Sequence, residues 1–175
     1  MLPPETPRWP PPAERAGRPA TELAALERRI LEIKANVDLT DPRVTALVTA
    51  LVENKVAVNP TLVVYRNWML LRDLPEVRQH PDLLAVPAQL REGWNRSADA
   101  QPPDPSTLDL RRRQFAKLQE LTGRLYRAGV ELLAGTDTPV QFCPPGGAMH
   151  QELELLTASG LPPDRKSTRL NSSHQ

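Results

Sequence analysis

The sequence predicts an α/β protein built on parallel strands, and three features of its hydropathy pattern support this. Residues 56–64 and 130–134 are short apolar segments with Val and Leu at both odd and even positions. This pattern is typical of strands buried on both faces of a parallel sheet. Amphipathic segments with helical periodicity lie before, between and after them. The order helix–strand–helix–strand–helix therefore favours a parallel sheet with crossover helices.

Capping signals predict where the helices begin and end. Thr21 can cap a helix that runs to about residue 34, and Asp41 followed by Pro42 is a strong N-terminal signal for the next helix. Ser106 and Asp109 form a capping box for a long helix to Ala128, which Gly129 ends. A last amphipathic helix is predicted over 148–159, with Gly160 after it.

Proline divides the chain into segments. Of 20 prolines, seven lie in the first nineteen residues, so we expect residues 1–20 to be a disordered or loosely packed lead-in. Pro60 lies within the first apolar segment and predicts a bulge or the end of a strand there. Residues 65–101 combine two tryptophans with three interrupting prolines, which indicates short helices packed as a lid.

Composition excludes several classes of function. The formal charge is +1, from 22 basic and 21 acidic residues, and no basic run could follow a phosphate backbone, so nucleic-acid binding is excluded. The apolar stretches are far shorter than the ~20 residues needed to cross a bilayer, so no membrane partner is expected. Cys143 is the single cysteine, which rules out an internal disulfide and fits a cytoplasmic protein.

Three motifs occur in the order found in one enzyme superfamily. Residues 129–137 read GVELLAGTD, an apolar strand that ends in an aspartate. Residues 146–153 read GGAMHQEL and are followed by ASGLPP at 158–163, while VAVNPTL lies upstream at 56–62. Together these motifs resemble the last two barrel strands of the amidohydrolase superfamily, especially its imidazolonepropionase-like and prolidase-like members. The resemblance covers roughly residues 41–165.

The resemblance implies a fold, a reaction and a cofactor. It implies that residues 21–165 form the C-terminal portion of a (β/α)8 TIM barrel, with about the last two strands and their helices, and that this barrel is incomplete. It also implies a metal-dependent hydrolase that cleaves the C–N bond of an amide or cyclic amide. The expected cofactor is a divalent metal, Zn²⁺ in particular, and the expected substrate is a small molecule or a peptide-like compound.

The resemblance also assigns site residues. Asp137 matches the aspartate that contacts the catalytic metal and takes a proton from the bound water, at the strand end where barrel sites form. The alternative is a polar turn in which Asp137 bonds to nearby backbone N–H groups. Thr61 and Tyr65 are candidate substrate contacts. His150 is a third candidate, although a histidine that begins a helix is more often a cap or a surface group.

Departures from the superfamily pattern limit these expectations. The sequence has only three histidines and no H-x-H motif, and one aspartate cannot hold a catalytic metal that needs several protein ligands. We therefore expect a fragment that is inactive by itself. The alternative is a non-catalytic helical binding or interaction module. Residues 166–175 resemble a translated sequencing-adapter read-through and are interpreted as a non-native tail, with an ordinary disordered tail as the alternative.

Overall fold

A computed structural model describes residues 10–15, 17–71, 75–99, 105–163 and 168–170 of the chain. This part of the chain contains eight α-helices, one 3-10 helix and two strands of three residues each. In order they are α1 (Pro12–Arg15), α2 (Ala20–Ala35), α3 (Pro42–Glu53), α4 (Leu62–Leu70), α5 (Pro75–Gln79), the 3-10 helix (Pro81–Ala85), α6 (Ala88–Asp99), α7 (Pro105–Arg127), β1 (Leu132–Ala134), α8 (Gly147–Ala158) and β2 (Thr168–Leu170).

The described part of the chain is mostly helical, so the predicted α/β fold and partial (β/α)8 barrel are wrong. Strand β1 pairs in parallel with β2, and Val58 forms an isolated parallel bridge with Leu132. The N–H of Val58 donates to the carbonyl of Glu131, and the N–H of Leu133 donates to the carbonyl of Val58, both at 2.9 Å. These few pairings cannot form the ring of parallel strands that defines a barrel.

The predicted strand over 56–64 is wrong: Val58 forms only an isolated bridge, and helix α4 begins at Leu62. A short apolar run does not distinguish a buried strand from a buried helical segment, because both place apolar side chains in the core. Leu62 and Val63 are almost completely buried in the first turn of α4. The second predicted strand, over 130–134, is present but is limited to Leu132–Ala134.

Helix ends were predicted with mixed success. The carboxylate of Asp41 accepts a hydrogen bond from the N–H of Arg43 at 2.8 Å, and Pro42 is the first residue of α3, which confirms that cap. Gly129 has a φ of 87° two residues after α7 ends, as expected of a helix-ending glycine. Thr21 and Ser106 lie inside helices that begin one residue earlier, so neither is the cap that was predicted.

The main hydrophobic core lies where α3, α4, α7, α8 and β1 meet. Its buried members are Val48, Leu62, Met69, Phe115, Leu125, Val130, Leu132, Ala134, Leu156 and Leu161. Full burial of one such Leu or Phe stabilises the fold by roughly 1.5–3 kcal/mol, so this cluster provides most of the driving force for folding. Helix α2 packs against α7 through a smaller cluster of Leu31, Ala35 and Leu110.

A second core organises the region after α4. Its buried residues are Leu71, Val77, Leu83, Val86 and Phe142, with Trp94 packed against them. Within the described residues this region consists of α5, the 3-10 helix and α6, which confirms the prediction of short helices. Phe142 comes from the loop between β1 and α8, so the second core joins these helices to that loop.

Both predicted chain ends fall partly outside the described residues. Of the proline-rich lead-in, residues 1–9 and 16 lie outside them, and the described remainder contains α1 and the first residue of α2. Of the predicted tail, residues 166, 167 and 171–175 lie outside them, while 168–170 form β2. Among the described helices, none combines the length and the apolar character that a bilayer crossing requires.

Candidate functional site

A cavity of 450 Å³ opens where the segment after Val58 and the segment after β1 lie next to each other. Residues from both segments and from the start of α8 line it, including Asn59, Thr61, Thr136, Asp137, Gly146 and Met149. Because Val58 and Leu132 are bridged in parallel, the residues that follow each of them leave the bridge on the same side. The parallel bridge therefore explains why the Thr61 and Asp137 regions share one cavity although they are far apart in sequence.

Asp137 lies three residues after β1, exposed at the rim of this cavity. Its φ is 50°, a left-handed conformation that Asp tolerates better than most residues. Its carboxylate makes no hydrogen bond to any residue that the structure describes. The Oγ1 atoms of Thr136 and Thr138, on either side, are 2.6 Å apart. The predicted alternative, a turn in which the Asp137 carboxylate bonds to nearby backbone N–H groups, would require such bonds.

Thr61 is the N-cap of α4 and also has a left-handed backbone, with a φ of 45°. Its side chain is half-buried and lines the cavity instead of capping the helix. The free N–H groups at the start of α4 are bound by a different residue, Glu152 of α8. This leaves the Thr61 hydroxyl without a capping role.

Glu152 is a fully buried carboxylate that sequence reasoning missed as a functional residue. Its Oε2 accepts a hydrogen bond from the N–H of Val63 at 2.7 Å, whereas its buried Oε1 has no partner among the described residues. Burial raises the pKa of Glu152 to about 7, and hydrogen bonds from the N–H groups of Val63 and Leu62 oppose that rise. Helical spacing in the sequence could have indicated that Glu152 is buried, because Ala148, Glu152 and Leu156 share the buried face of α8.

Asn59 and Gly135 are in direct contact inside the cavity. A side-chain carbon placed on Gly135 would collide with the amide group of Asn59. A larger residue in place of the glycine of the Gly-Thr-Asp motif would therefore have to displace the Asn59 side chain, whose amide donor and acceptor lie beside it. Sequence reasoning did not select Asn59, which was interpreted as part of a buried strand.

Two further buried polar groups fix the loop between β1 and α8. The side-chain amide of Asn67 donates to the carbonyl of Phe142 at 2.9 Å and lies 3.6 Å from the sulfur of Cys143. Burial raises the pKa of the Cys143 thiol to about 11, with smaller contributions from the negative charges of Glu152 and Asp137. Cys143 is therefore a protonated, unreactive thiol at neutral pH.

The structure does not bring two of the predicted site residues to the cavity. Tyr65 is 40% exposed on α4, and His150 is exposed on α8. Neither side chain lines the cavity, and on α8 the neighbouring Met149 takes that position. Thr61 and Asp137 are the predicted site residues that share it.

The side chains in the described ranges do not fit the implied metal. They contain no group of three or more His, Cys, Asp or Glu residues that could hold an ion. Asp137 is the one residue of these four types among the described residues that line the cavity. A structural or catalytic Zn²⁺ needs several such ligands, so Asp137 could contribute one ligand to a metal centre but could not form it.

Comparisons with known proteins identified no relative of this chain. No protein-family model, curated protein or solved structure matches it. The functional interpretation therefore depends on the geometry of the cavity and on the motif resemblance.

Proposed function

We propose that this chain is part of a metal-dependent amidohydrolase, to which it contributes Asp137 and one wall of the substrate cavity. The observation that supports the proposal most strongly is the position of Asp137. The aspartate that the motif resemblance selects lies at the rim of a 450 Å³ cavity, unpaired within the described residues and beside Thr61, Thr136 and Asn59. The free, buried Cys143 is compatible with a reducing compartment such as the cytoplasm.

The chemistry of the cavity suits an amide. A cyclic amide or a peptide bond offers one N–H donor and one carbonyl acceptor. The Asp137 carboxylate can accept from the N–H, and the hydroxyls of Thr61 and Thr136 or the amide of Asn59 can donate to the carbonyl. Met149 supplies apolar surface opposite these groups. The volume lies within the range of small-molecule sites.

The chain by itself is not proposed to be a working hydrolase. Hydrolysis of an amide in this superfamily needs a metal, and the donor set of the described residues does not fit one. We therefore assign to Asp137 the binding and orientation of substrate in this chain, and assign turnover to the intact parent. A small-molecule or peptide-like amide remains the proposed substrate class.

A helical interaction module is the second candidate, and one observation favours it. Trp68 on α4 is 64% exposed, and Tyr65, three residues earlier on the same helix, is 40% exposed. Residues at this spacing are neighbours on a helix surface, so two aromatic rings are presented together to the outside. Aromatic side chains of this kind are enriched at protein interfaces.

Binding of a cyclic amide to the purified chain tests the role of Asp137. We expect hydantoin to cause saturable NMR shifts in the backbone amides of residues 135–138, and Asp137→Asn to weaken this binding several-fold because the charged acceptor is lost. The matched control is Asp109→Asn, an exposed carboxylate on α7 that pairs with Arg113. Equal affinity in all three proteins, or no saturable shift, would contradict the proposal.

The same samples test whether the chain is inactive alone. Hydantoin and alanyl-proline are incubated with the chain in the presence and absence of Zn²⁺, and hydrolysis is followed by NMR. We expect no turnover above the Asp137→Asn background. Turnover that chelation abolishes and that Asp137→Asn removes would show that the chain is a complete enzyme.

The gene tests the assignment to the superfamily. Sequencing the source locus upstream of the Met1 codon should reveal an in-frame segment that encodes H-x-H and further histidines. A stop codon directly upstream, with no such segment in the same frame, would remove the amidohydrolase assignment and favour the helical module.

A further inference from the structure

A second cavity, of 380 Å³, includes Phe142 of the loop that follows β1 among its lining residues. Its walls come from the segment around the 3-10 helix and from α6, and Phe142 of the loop completes it. This is the helical region that the sequence predicted as a lid, and the proposed hydrolase site does not use it. The cavity shares no lining residue with the first one.

The charged residues that line this cavity include two arginines. Arg78 and Arg91 line it, and among the described lining residues there is no carboxylate. Arg78 is already neutralised, because its guanidinium donates to Asp99 at 2.8 Å and to Asn95 at 3.2 Å. His80 is engaged as well, since its Nδ1 accepts from the N–H of Asp82 at 3.3 Å.

Arg91 differs from Arg78 in having no partner. Its Nε is completely buried and makes no hydrogen bond to any described residue, and no ion pair to Arg91 is present among them. A buried donor that has lost its water is costly unless a protein group or a ligand replaces that water. Arg91 itself is half-buried and lines the cavity, so an anion there could pair with a guanidinium that has no ion pair among the described residues.

The position of Arg91 on its helix strengthens this argument. Arg91 is the fourth residue of α6, near the end where the helix dipole is positive. A cation at this end is unfavourable by itself, whereas an anion bound beside it interacts favourably with both the guanidinium and the dipole. Arg91 thus lies near the positive end of α6 and forms no ion pair among the described residues.

The remaining walls are apolar and partly aromatic. The rings of Trp94 and Phe142 are in contact, with centroids 5.7 Å apart and planes tilted by 52°. Leu83 lies behind them in the second core, and Leu84 at the mouth is 75% exposed. A bare inorganic anion would leave this surface unused, whereas a flat apolar body would bury it.

We propose that this second cavity binds a small organic carboxylate with an aromatic or flat apolar body. The carboxylate pairs with Arg91 at the start of α6, and the body packs against the exposed surfaces of Trp94, Phe142 and Leu84. This binding site is independent of Asp137 and of the proposed hydrolase function. Because Phe142 belongs to the loop between β1 and α8, a ligand in the second cavity contacts the same loop that lines the first.

Binding of 2-naphthoate to the full chain tests the proposal. Binding is followed by NMR through the indole N–H signal of Trp94, which is assigned by its loss in Trp94→Phe. We expect 2-naphthoate to shift this signal saturably, and the neutral isostere 2-naphthamide to bind at least tenfold more weakly, because it lacks the charge that Arg91 recognises. Inorganic phosphate should bind more weakly than 2-naphthoate, because it lacks the apolar body.

Two variants test whether Arg91 supplies the positive charge that binds the carboxylate. Arg91→Met keeps an unbranched apolar stem and removes the guanidinium, and it should weaken 2-naphthoate binding at least tenfold. Arg96→Met, on the same helix but 75% exposed and paired with Glu92, should stay within twofold of the unmodified chain. Asp137→Asn should leave 2-naphthoate binding unchanged, which separates this test from that of the first cavity.

Four outcomes would overturn the proposal: equal affinity for 2-naphthoate and 2-naphthamide, phosphate binding as tightly as 2-naphthoate, normal binding by Arg91→Met, or no saturable shift at all. The comparison of acid and amide uses the unmodified chain, so it decides the question even if Arg91→Met does not fold.

Discussion

The carboxylate of Glu152 accepts a hydrogen bond from the backbone N–H of Val63 at 2.7 Å, across 89 residues of sequence. This bond joins the buried face of α8 to the first turn of α4. It satisfies N–H groups that the helix itself cannot satisfy, and it fixes the point where the extended segment after Val58 becomes helical. Thr61, which lines the first cavity, lies at this point.

Glu152→Gln should remove a pH dependence of stability. The folded-state pKa of about 7 lies above the ordinary value of 4.5, because burial disfavours the charged form. The folded chain therefore binds this proton more tightly than the unfolded chain does. The associated stability is fully present below pH 4.5, declines as the pH rises towards 7, and is lost above that, by an amount on the order of 3 kcal/mol.

Urea unfolding at pH 4.5, 6 and 8 measures this effect. The unmodified chain should lose stability over that range, whereas Glu152→Gln should have a flatter profile and be the more stable of the two at pH 8. Glu154→Gln, an exposed carboxylate on the same helix, is the control and should retain the original profile. Identical slopes for the unmodified chain and Glu152→Gln would show that Glu152 is not the titrating group.

The same bond explains which parts of the fold could be predicted from the sequence. The cap at Asp41 and the helix end at Gly129 are local, since the partner groups lie within a few residues. The start of α4 is not local, because the carboxylate that accepts from its first N–H groups is distant in sequence. The apolar run over 56–64 has the composition of either a buried strand or a buried helix, so its pattern alone could not predict the helix that begins at Leu62.

The site residues remain predictions, but the structure shows which of them lie together. Asp137 and Thr61 line one cavity. Tyr65 and His150, which the same motif resemblance suggested, lie on helices with their side chains outside that cavity. Arg91 had no sequence signal, because an unpaired guanidinium can be recognised only when the positions of all possible partners are known.

Gly123→Ala should destabilise the chain although alanine is the better helix former. A side-chain carbon at this position on α7 would collide with the backbone carbonyl of Ser159, at the end of α8. Backbone cannot move aside as a flexible side chain can, so α7 and α8 must separate, at a cost of about 1–3 kcal/mol. The prediction is checked by the midpoint of urea unfolding.

Gly93→Ala is the matched control for this substitution. Gly93 lies inside α6, and the nearest atom that an added side chain would meet is in Arg96, at 4.0 Å. This change should stabilise the chain by about 0.5–1 kcal/mol, through helix propensity alone. If both alanine variants shift stability in the same direction, close packing at Gly123 is not the cause.

Asp41→Ala should lower the thermal unfolding midpoint by about 2–4 °C, because α3 loses its N-cap. Asp41→Asn keeps an acceptor for the N–H of Arg43 and should lower the unfolding midpoint less.

Hydrogen bonds from the side chain and backbone of Arg43 lower the pKa of Asp41 to about 2. The contribution of the charge is therefore present above pH 3.8 and lost as the pH falls through 2, so the two variants should differ from the unmodified chain less at pH 2 than at pH 6.

Asn67→Ala should expose the loop between β1 and α8, and Cys143 reports on this directly. In the unmodified chain the thiol is buried and its pKa is raised to about 11, so reaction with a disulfide reagent at pH 8 should be slow until the chain is unfolded in urea. Removing Asn67 leaves the carbonyl of Phe142 without its 2.9 Å donor, at a cost of about 1–3 kcal/mol. The loop should then open more often, and the thiol should react at least fivefold faster under native conditions.

Asn95→Ala is the control. It removes a polar contact between Asn95 of α6 and Arg78 of α5, and it should leave the reaction rate of the thiol unchanged. If the two variants accelerate the reaction equally, the thiol is reached by general unfolding, and the bond from Asn67 does not control the loop.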